Sequence, residues 1–335
     1  MKKRAGVSSR DVAKEAGVSQ ATVSYILNDV QNVKIKPETR EAVLQAIKKL
    51  NYHPNHIARG MKLMRSMSIG IVTDHNATSY YFMRTLEGIK QGLKQQNYSI
   101  TFLDNHFDST EEAEYIRYYN SNRIDGLLFV FASLPEGMIQ FLNDKGIPYV
   151  MVEVHPSERG IHEVCSDYLM QMDTVIKHLS TQYITKIGYI GADTHKSKNY
   201  PLEAFKESLT GNQLEIQNTH IFTGWFHCSD LAKSISNMLN DVNKPQAIVA
   251  GGPRYGMLAA KCALKLGLKI PEDIKITVMG SSNMYEFIYP SLTAVEIPLA
   301  EMGNSAAKMI LDLIGGREIS RQIILASEFV VRDSS

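Results

Sequence analysis

Seven short apolar segments constrain this 335-residue chain more than any other feature of its sequence. Each has the length of a buried strand, and most are separated by segments with the apolar spacing of a helix. Repeated strand and helix units specify parallel sheets, so we predict an α/β body with two sheets and a ligand crevice at the carboxyl ends of the strands. The segments are residues 69–73, 100–103, 127–131, 149–152, 187–190, 247–250 and 276–279.

Charge separates the front of the chain from the rest. Residues 1–65 hold 13 Lys and Arg against 5 Asp and Glu, a net charge of +8, whereas the remainder carries −7. A basic module attached to an acidic body suggests a nucleic-acid partner for the front alone, because Lys and Arg gain affinity by releasing counterions from phosphates. The alternative is a basic surface that is merely solvated.

Local patterns predict an all-α front domain. Ser8 and Asp11 have the spacing of a capping box, so a short helix should begin there and end at Gly17. Ser19 can cap a second helix, and Pro37 suits the first turn of a third. The second helix buries Val23, Ile26 and Leu27 on one side. The third is predicted to bury Val43, Leu44, Ile47 and Leu50.

The other face of the second helix carries short or hydrogen-bonding side chains where a solvated helix would carry Lys and Glu. Helix, glycine turn and helix, closed by a third helix, is the helix-turn-helix arrangement, whose second helix enters the major groove. Such side chains can approach base edges and thymine methyl groups. They are Gln20, Ala21, Ser24, Tyr25 and Asn28. Flanking cations that can contact phosphates are Arg10, Lys14, Lys34, Lys36 and Arg40.

The run "SSRDVAKEAGVSQATVSYILN" with "KPETREAVLQAIKKLNYHPNHIARGM" resembles the amino-terminal domain of the LacI/GalR family of bacterial transcription regulators. Body segments such as "EGIKQGLKQQNYSITFLD", "RIDGLLFV" and "LGLKIPEDIKITVMG" also follow the order of that family. The resemblance implies a helix-turn-helix domain and two hinged periplasmic-binding-protein-like subdomains. It also implies a homodimer that binds a double-stranded DNA operator and a small-molecule effector.

We predict a DNA-binding domain at residues 1–53, a hinge helix or linker at 54–67 and an effector-binding and dimerisation body at 68–335. The connector is too short and too basic to be a stable isolated helix, so a flexible linker is the alternative. In the family this segment enters the minor groove, where an apolar side chain, usually Leu, wedges a base step apart. Met61 occupies that position here.

The predicted DNA contacts are Ser8, Arg10, Lys14, Ser19, Gln20, Ala21, Thr22, Ser24, Tyr25, Asn28, Asn55, Ala58, Arg59 and Met61. Tyr25 stands where many members of the family carry an Arg suited to guanine, so the operator should differ from theirs. The loop at residues 29–35 is about two residues longer than is usual in the family.

The effector pocket departs most from the family. Pro201 replaces an Arg, Gly252 and Pro253 replace an Asn–Asp pair, and Ser282 replaces an Asp. The remaining candidates are mainly aromatic, which suggests a ligand flatter or less hydroxylated than a common sugar. The predicted effector contacts are Tyr81, Phe82, Glu153, Asp167, His195, Phe226 and Ser282. Core packing of each aromatic, a pocket that senses nothing, and control by a partner protein are the alternatives.

Other classes of protein receive little support from the sequence. No apolar run is long enough for a membrane span and the front lacks a secretory signal, so we expect a cytoplasmic protein. Cys165, Cys228 and Cys262 lack metal-ligand spacing, and we predict no metal, cofactor or disulfide. "GGPRYG" does not match a nucleotide-binding loop, so a nucleotide-dependent enzyme with an appended DNA-binding domain is a distant alternative.

Overall fold

The chain divides into two compact units, residues 1–66 and 67–335, which we call the head and the body. The computed structural model describes residues 7–27, 33–52, 65–75, 78–94, 96–105, 113–132, 134, 137–153, 161–192, 199–224 and 229–335. The predicted connector at 54–67 lies almost entirely outside these described residues, so its structure remains a prediction.

The head contains three helices, α1 (Ser9–Glu15), α2 (Gln20–Leu27) and α3 (Pro37–Lys49). The predicted capping box is present at α1, where the Asp11 carboxylate accepts hydrogen bonds from the Ser8 N–H at 2.8 Å and the Ser8 hydroxyl at 2.7 Å. These bonds hold the pKa of the Asp11 carboxyl below its usual value. Gly17 turns the chain with a φ of +67°, and Ser19 Oγ accepts a hydrogen bond from the Thr22 N–H at 3.1 Å.

The core of the head contains the residues that were predicted to be buried, with one exception. Val12, Val23 and Val43 have no exposed surface, and each comes from a different helix. Leu44 was predicted to be buried, but 52% of it is exposed. The buried face of α3 follows positions 43, 46, 47 and 50, the i, i+3, i+4, i+7 spacing, which leaves position 44 on the flank. The small Ala46 takes the place that was assigned to Leu44.

The body contains two six-stranded sheets. The first has the order β11-β5-β4-β3-β1-β2 and is parallel throughout, with Ile69 of β1 opposite Ile100 of β2 and Gly126 of β3. The second has the order β12-β10-β9-β8-β6-β7, in which only the β10–β12 pair is antiparallel. The strands are β1 (Ser68–Val72), β2 (Ser99–Leu103), β3 (Gly126–Val130), β4 (Tyr149–Val152), β5 (Glu163–Ser166), β6 (Ile187–Gly191), β7 (Ile221–Thr223), β8 (Ala247–Ala250), β9 (Lys275–Met279), β10 (Thr293–Glu296), β11 (Gln322–Leu325) and β12 (Glu328–Val330).

Helices cover both faces of each sheet. In the amino-terminal lobe, built on the first sheet, α4 and α11 cover one face and α5 and α6 the other. In the carboxy-terminal lobe, α9 and α10 cover one face and α7 and α8 the other. The helices are α4 (Tyr80–Lys94), α5 (Glu114–Asn120), α6 (Met138–Asp144), α7 (Tyr168–Ser180), α8 (Tyr200–Gly211), α9 (Ser229–Asn240), α10 (Pro253–Lys265) and α11 (Leu299–Ile314). A 3₁₀ turn, Asn218–His220, precedes β7.

The chain crosses between the two lobes three times. The crossings lie between β5 and α7, between β10 and α11, and between β11 and β12. All seven predicted strands are confirmed, whereas β5, β7, β10, β11 and β12 were not predicted. Two of these five, β11 and β12, are separated by only two residues yet belong to different sheets. Such partners are determined by long-range packing rather than by local pattern.

Among the described residues no helix is long and apolar enough to cross a membrane. Cys165 and Cys262 are buried free thiols, while Cys228 lies outside the described residues. Burial raises the pKa of the Cys165 thiol to about 12, and the nearby Glu163 carboxylate adds to this effect. A thiol with so high a pKa is a poor nucleophile at neutral pH.

Glycine allows α4 and α11 to pack with their backbones in contact. A Cβ atom at Gly88 of α4 would lie 1.8 Å from the carbonyl oxygen of Ala300. A Cβ atom at Gly303 of α11 would lie 2.0 Å from the carbonyl oxygen of Thr85. Backbone atoms of a packed helix cannot yield as a flexible side chain would, so neither position admits a larger residue without moving a helix.

We expect Gly88→Ala to lower the free energy of unfolding by about 3 kcal/mol, near the upper end for overpacked cores. Urea-induced unfolding followed by circular dichroism would measure it. The matched control is Gly211→Ala, since Gly211 is also helical but has nothing within 4 Å of the added Cβ. The control should change stability by less than about 1 kcal/mol. Equal effects of the two substitutions would contradict the close helix contact.

Candidate nucleic-acid interface and candidate ligand cleft

The outer face of α2 is uncharged and accessible. Gln20 and Ala21 are exposed, and Tyr25 has 40% of its surface exposed, whereas Ser24 is half-buried. The Gln20 amide Nε2 donates a hydrogen bond to Ser9 Oγ at 2.8 Å, across the turn between α1 and α2. No residue of α2 is acidic or basic. This face therefore offers hydrogen-bonding groups and a small side chain without the charge that binds phosphate indiscriminately.

Exposed cations lie on the other elements of the head. Arg10 and Lys14 on α1 are exposed, as are Lys34 and Lys36 before α3 and Arg40 within it. Phosphate contacts from such residues fix the position of a domain on DNA, while base edges are read by the helix between them. The separation of neutral and cationic surface is the arrangement that a major-groove reader needs.

The remaining predicted DNA contacts differ in what the structure says of them. Ser8 and Ser19 are exposed at the helix starts, and Thr22 is half-buried beside Ser19, with the two hydroxyl oxygens 2.9 Å apart. Five predicted contacts lie outside the described residues and stay predictions: Asn28, Asn55, Ala58, Arg59 and Met61.

In the body, the candidate cleft lies between the lobes, at the carboxyl ends of strands in both sheets. Tyr81, in the first turn of α4, reaches across it to Gly280, which follows β9. A Cβ atom at Gly280 would lie 1.5 Å from the Tyr81 hydroxyl oxygen, so that side chain occupies the space that any other residue would fill. The pKa of Tyr81 is raised by burial and by Glu153, against the effect of a hydrogen bond with the Ser281 backbone.

The carboxylate that was predicted to accept ligand hydroxyls already has donors from the chain. Glu153 follows β4, is 9% exposed, and accepts a hydrogen bond from the Ser166 N–H at 2.5 Å. The Tyr168 side chain also forms a hydrogen bond with Glu153, and burial followed by this carboxylate raises the pKa of Tyr168 well above its usual value. A ligand hydroxyl must therefore compete with donors inside the protein for Glu153.

Three other predicted cleft residues have local partners. Phe82 is 4% exposed and packs in the core of the amino-terminal lobe, with its ring 6.0 Å from that of Phe102. Asp167 caps α7, accepting a hydrogen bond from the Met170 N–H at 2.9 Å. Ser282 accepts one from the Met284 N–H at 3.1 Å. His195 and Phe226 lie outside the described residues.

Sequence reasoning missed a second set of residues near the cleft. The His75 ring stacks on Phe131 at 5.1 Å, and Nδ1 lies 2.8 Å from Ser79 Oγ. Burial lowers the pKa of His75, against the raising effect of Asp74, and Arg254 of the other lobe lowers it further. His75 lies two residues after the predicted strand 69–73, and Phe131 is the last residue of the predicted strand 127–131, so the rule that sites form at strand carboxyl ends would have found them.

The described residues include no cluster of three or more His, Cys, Asp or Glu that could hold a metal ion.

Comparison with known families matches two parts of the chain. Residues 10–55 match the profile described as bacterial regulatory proteins, lacI family, and residues 176–335 match the periplasmic binding protein-like domain. Together these matches span more than half of the chain, and they cover nearly all of the three head helices and the body from the second half of α7 onward.

Curated relatives extend the similarity over nearly the whole chain. Catabolite control protein A of Staphylococcus xylosus is 26% identical over 320 residues, covering 95% of this chain and 96% of the relative. The HTH-type transcriptional repressor PurR of Proteus mirabilis is 28% identical over 329 residues, covering 97% and 96%.

Solved structures share the fold. The lac repressor dimer bound to operator and the anti-inducer ONPF is 21% identical, covers 98% of each chain and has a TM-score of 0.79. A complex of the transcriptional regulator CelR with cellobiose is 22% identical, with a TM-score of 0.69, and covers 98% of this chain and 100% of that one.

We expect Gly280→Ala to lower the free energy of unfolding more than Gly267→Ala does. Both glycines have positive φ, +94° and +76°, but only at Gly280 does the added Cβ meet another atom. The backbone strain common to both is about 1 kcal/mol, and the clash with Tyr81 adds about 1–3 kcal/mol.

Tyr81→Phe removes the clashing oxygen, so it should partly rescue Gly280→Ala in a double-mutant cycle measured by urea unfolding. Additive effects of Tyr81→Phe and Gly280→Ala would show that Tyr81 does not occupy this space in solution.

Proposed function

Since the chain belongs to the lacI family of bacterial regulatory proteins, we propose that it is a sequence-specific DNA-binding transcription regulator acting as a repressor. It binds a pseudo-palindromic operator as a homodimer, in the cytoplasm, and is modulated at the cleft between the lobes. We propose no catalytic activity, because the relatives named above are control proteins and repressors rather than enzymes.

The observation that carries the proposal is the outer face of α2. An exposed helix face with Gln20, Ala21 and Tyr25 carries no charge, while the exposed Arg10 and Lys14 lie on α1, which separates base reading from phosphate binding. Gln can form a bidentate hydrogen bond with adenine, and a small apolar side chain suits the thymine methyl group. Tyr25 supplies a hydroxyl and a flat ring at the position where many members of the family carry Arg.

A dimer follows from the size of the recognition unit. One helix-turn-helix reads only a few base pairs, so two copies with matching symmetry are needed for a useful operator. The lac repressor structure similar to this chain is a dimer bound to operator, which supports the same assembly here. In this proposal Met61 of each connector enters the minor groove and opens a central base step, at a cost repaid by the extra contacts of bent DNA.

The ligand that we propose for the cleft is flatter and less hydroxylated than a sugar. Tyr81 and Tyr168 supply aromatic surface, while Glu153 is already engaged by the chain. The alternative is that the cleft binds no ligand and that a partner protein controls the regulator. The packing of Tyr81 on Gly280 favours this alternative, because it fills the cleft from within.

We expect Tyr25→Ala to change the consensus in a random-sequence DNA selection with the purified chain, because it removes a base-reading side chain. The change should be confined to one position in each half-site, with a discrimination loss of about 1–3 kcal/mol there. Since Tyr25 is exposed, the variant should fold normally. An unchanged consensus would remove Tyr25 from the reading surface.

We expect Lys14→Ala to weaken binding to all sequences alike and to reduce the slope of log affinity against log salt by about 1. Fluorescence anisotropy with the selected operator at several salt concentrations would measure both. The control Lys265→Ala removes an exposed lysine from the body and should leave slope and affinity unchanged. If both variants behaved alike, α1 would not contact phosphate.

A panel of common sugars should leave the melting temperature of the purified chain unchanged, whereas a cleft ligand raises it through linkage. Differential scanning fluorimetry at millimolar ligand, with planar heterocycles in a second panel, makes the comparison. Stabilisation by a sugar would contradict the proposed class of ligand, and stabilisation by neither panel would favour control by a partner protein.

A further inference from the structure

One hydrogen bond joins the first helix of the head to the face of α2 that we propose reads bases. The Gln20 amide Nε2 donates to Ser9 Oγ at 2.8 Å, although the two residues are 11 positions apart in the sequence. Ser9 is the first residue of α1, and Gln20 is the first residue of α2. Ser9 is half-buried, whereas Gln20 is exposed. A residue outside the base-reading face therefore holds the end of a side chain on that face.

The other serine and threonine hydroxyls at the starts of α1 and α2 have different partners. Ser19 Oγ accepts a hydrogen bond from the Thr22 N–H at 3.1 Å and lies 2.9 Å from Thr22 Oγ1. Ser8 Oγ donates to the Asp11 carboxylate at 2.7 Å. Among the described residues, the amide of Gln20 bonds to Ser9 alone. The orientation of this amide thus depends on one hydroxyl, which was not among the predicted DNA contacts.

The bond determines which part of the Gln20 amide is left for DNA. With one N–H donated to Ser9, the carbonyl oxygen Oε1 and the second N–H remain. Adenine offers an N6–H donor and the N7 acceptor in the major groove, so it matches this pair, whereas guanine offers two acceptors, N7 and O6. A Gln20 amide held in this orientation therefore discriminates between the two purines.

Without the Ser9 hydroxyl the amide of Gln20 would be free to turn. The terminal torsion of a glutamine is broad and roughly two-fold, so a half turn exchanges the oxygen and the nitrogen at little cost. The turned amide directs its NH₂ group to the base, which suits the two acceptors of guanine. The net stabilisation of one hydrogen bond shifts such an equilibrium by about two- to tenfold, which is enough to decide between adenine and guanine.

We propose that Ser9 is a positioning residue for DNA recognition, whose hydroxyl orients the Gln20 amide so that Gln20 selects adenine over guanine in each half-site. This inference rests on the function proposed above and deepens it by naming the base that Gln20 reads. Ser9 acts through Gln20 and needs no contact with DNA itself. The reverse bond, from the Ser9 hydroxyl to Gln20 Oε1, would leave the NH₂ group for the base and select guanine, so the choice of purine tests the orientation.

Random-sequence DNA selection with the full chain and with Gln20→Ala identifies the position that Gln20 reads, because its base preference is lost in the variant. We expect adenine there in the native protein. In anisotropy titrations of two operators that differ only at this position of one half-site, adenine should be preferred over guanine by about tenfold. Any other base at this position, or an unchanged consensus in Gln20→Ala, would overturn the inference and leave the proposed function intact. A native protein that selects no consensus would overturn both.

Two substitutions of the same shape isolate the hydroxyl. Ser9→Thr keeps the acceptor oxygen, whereas Ser9→Val lacks it, and both place a β-branched residue at the start of α1. The preference for adenine should stay near tenfold in Ser9→Thr and fall to about twofold or less in Ser9→Val, as guanine becomes accepted. Equal preferences in the two variants would overturn the role of Ser9. If circular dichroism shows that Ser9→Val does not fold, Ser9→Ala, which adds no bulk, replaces it with the native protein as the reference.

The same pair in a Gln20→Ala background separates the orientation of Gln20 from a direct contact between Ser9 and DNA. Ser9→Thr and Ser9→Val should then show the same base preference at this position, because the amide on which Ser9 acts has been removed. A difference that persists in this background would assign the effect to Ser9 itself and overturn the inference.

Discussion

The contact between the backbones of α4 and α11 is the constraint on which the body depends. Gly88 and Gly303 bring the two helix axes so close that the pair behaves as one block against the first sheet. Tyr81 of the cleft lies in the first turn of α4, and α11 begins directly after the second crossing between the lobes. The position of Tyr81 is therefore coupled to the position of a crossing, and cleft geometry and lobe angle cannot vary independently.

The cleft is distinguished by how fully the chain satisfies its own polar groups. The Glu153 carboxylate accepts hydrogen bonds from the Ser166 N–H and the Tyr168 hydroxyl, and the Tyr81 side chain packs against Gly280. An effector gains only the difference between its own contacts and those that it displaces. Only the molecules in which these internal contacts are open can bind the effector, so the apparent affinity falls as that fraction falls. The strength of the internal hydrogen bonds therefore sets the effector concentration at which the protein responds.

The head was predicted almost completely because its signals are local: a capping box, a glycine turn and apolar stripes. The body was predicted as far as its strands are continuous apolar runs. β11 and β12 were missed because they are partly exposed edge strands and not continuous apolar runs. Phe82 illustrates a different limit, since a motif match placed it in the cleft. The spacing of Phe82, Leu86, Ile89 and Leu93 puts it instead on the buried face of α4, and in the structure this periodicity prevails.

The division of the last two strands between sheets has a consequence for biosynthesis. The first sheet lacks its edge strand β11, and the face beneath α11 lacks its cover, until residues 299–325 have been synthesised. A ribosome-bound intermediate therefore presents the part of this apolar face that includes Leu128 and Val150 to the solvent throughout translation of the segment from α7 to β10. Because exposed apolar surface on nascent chains promotes aggregation, the yield of this protein in cells should depend on chaperones that shield that face.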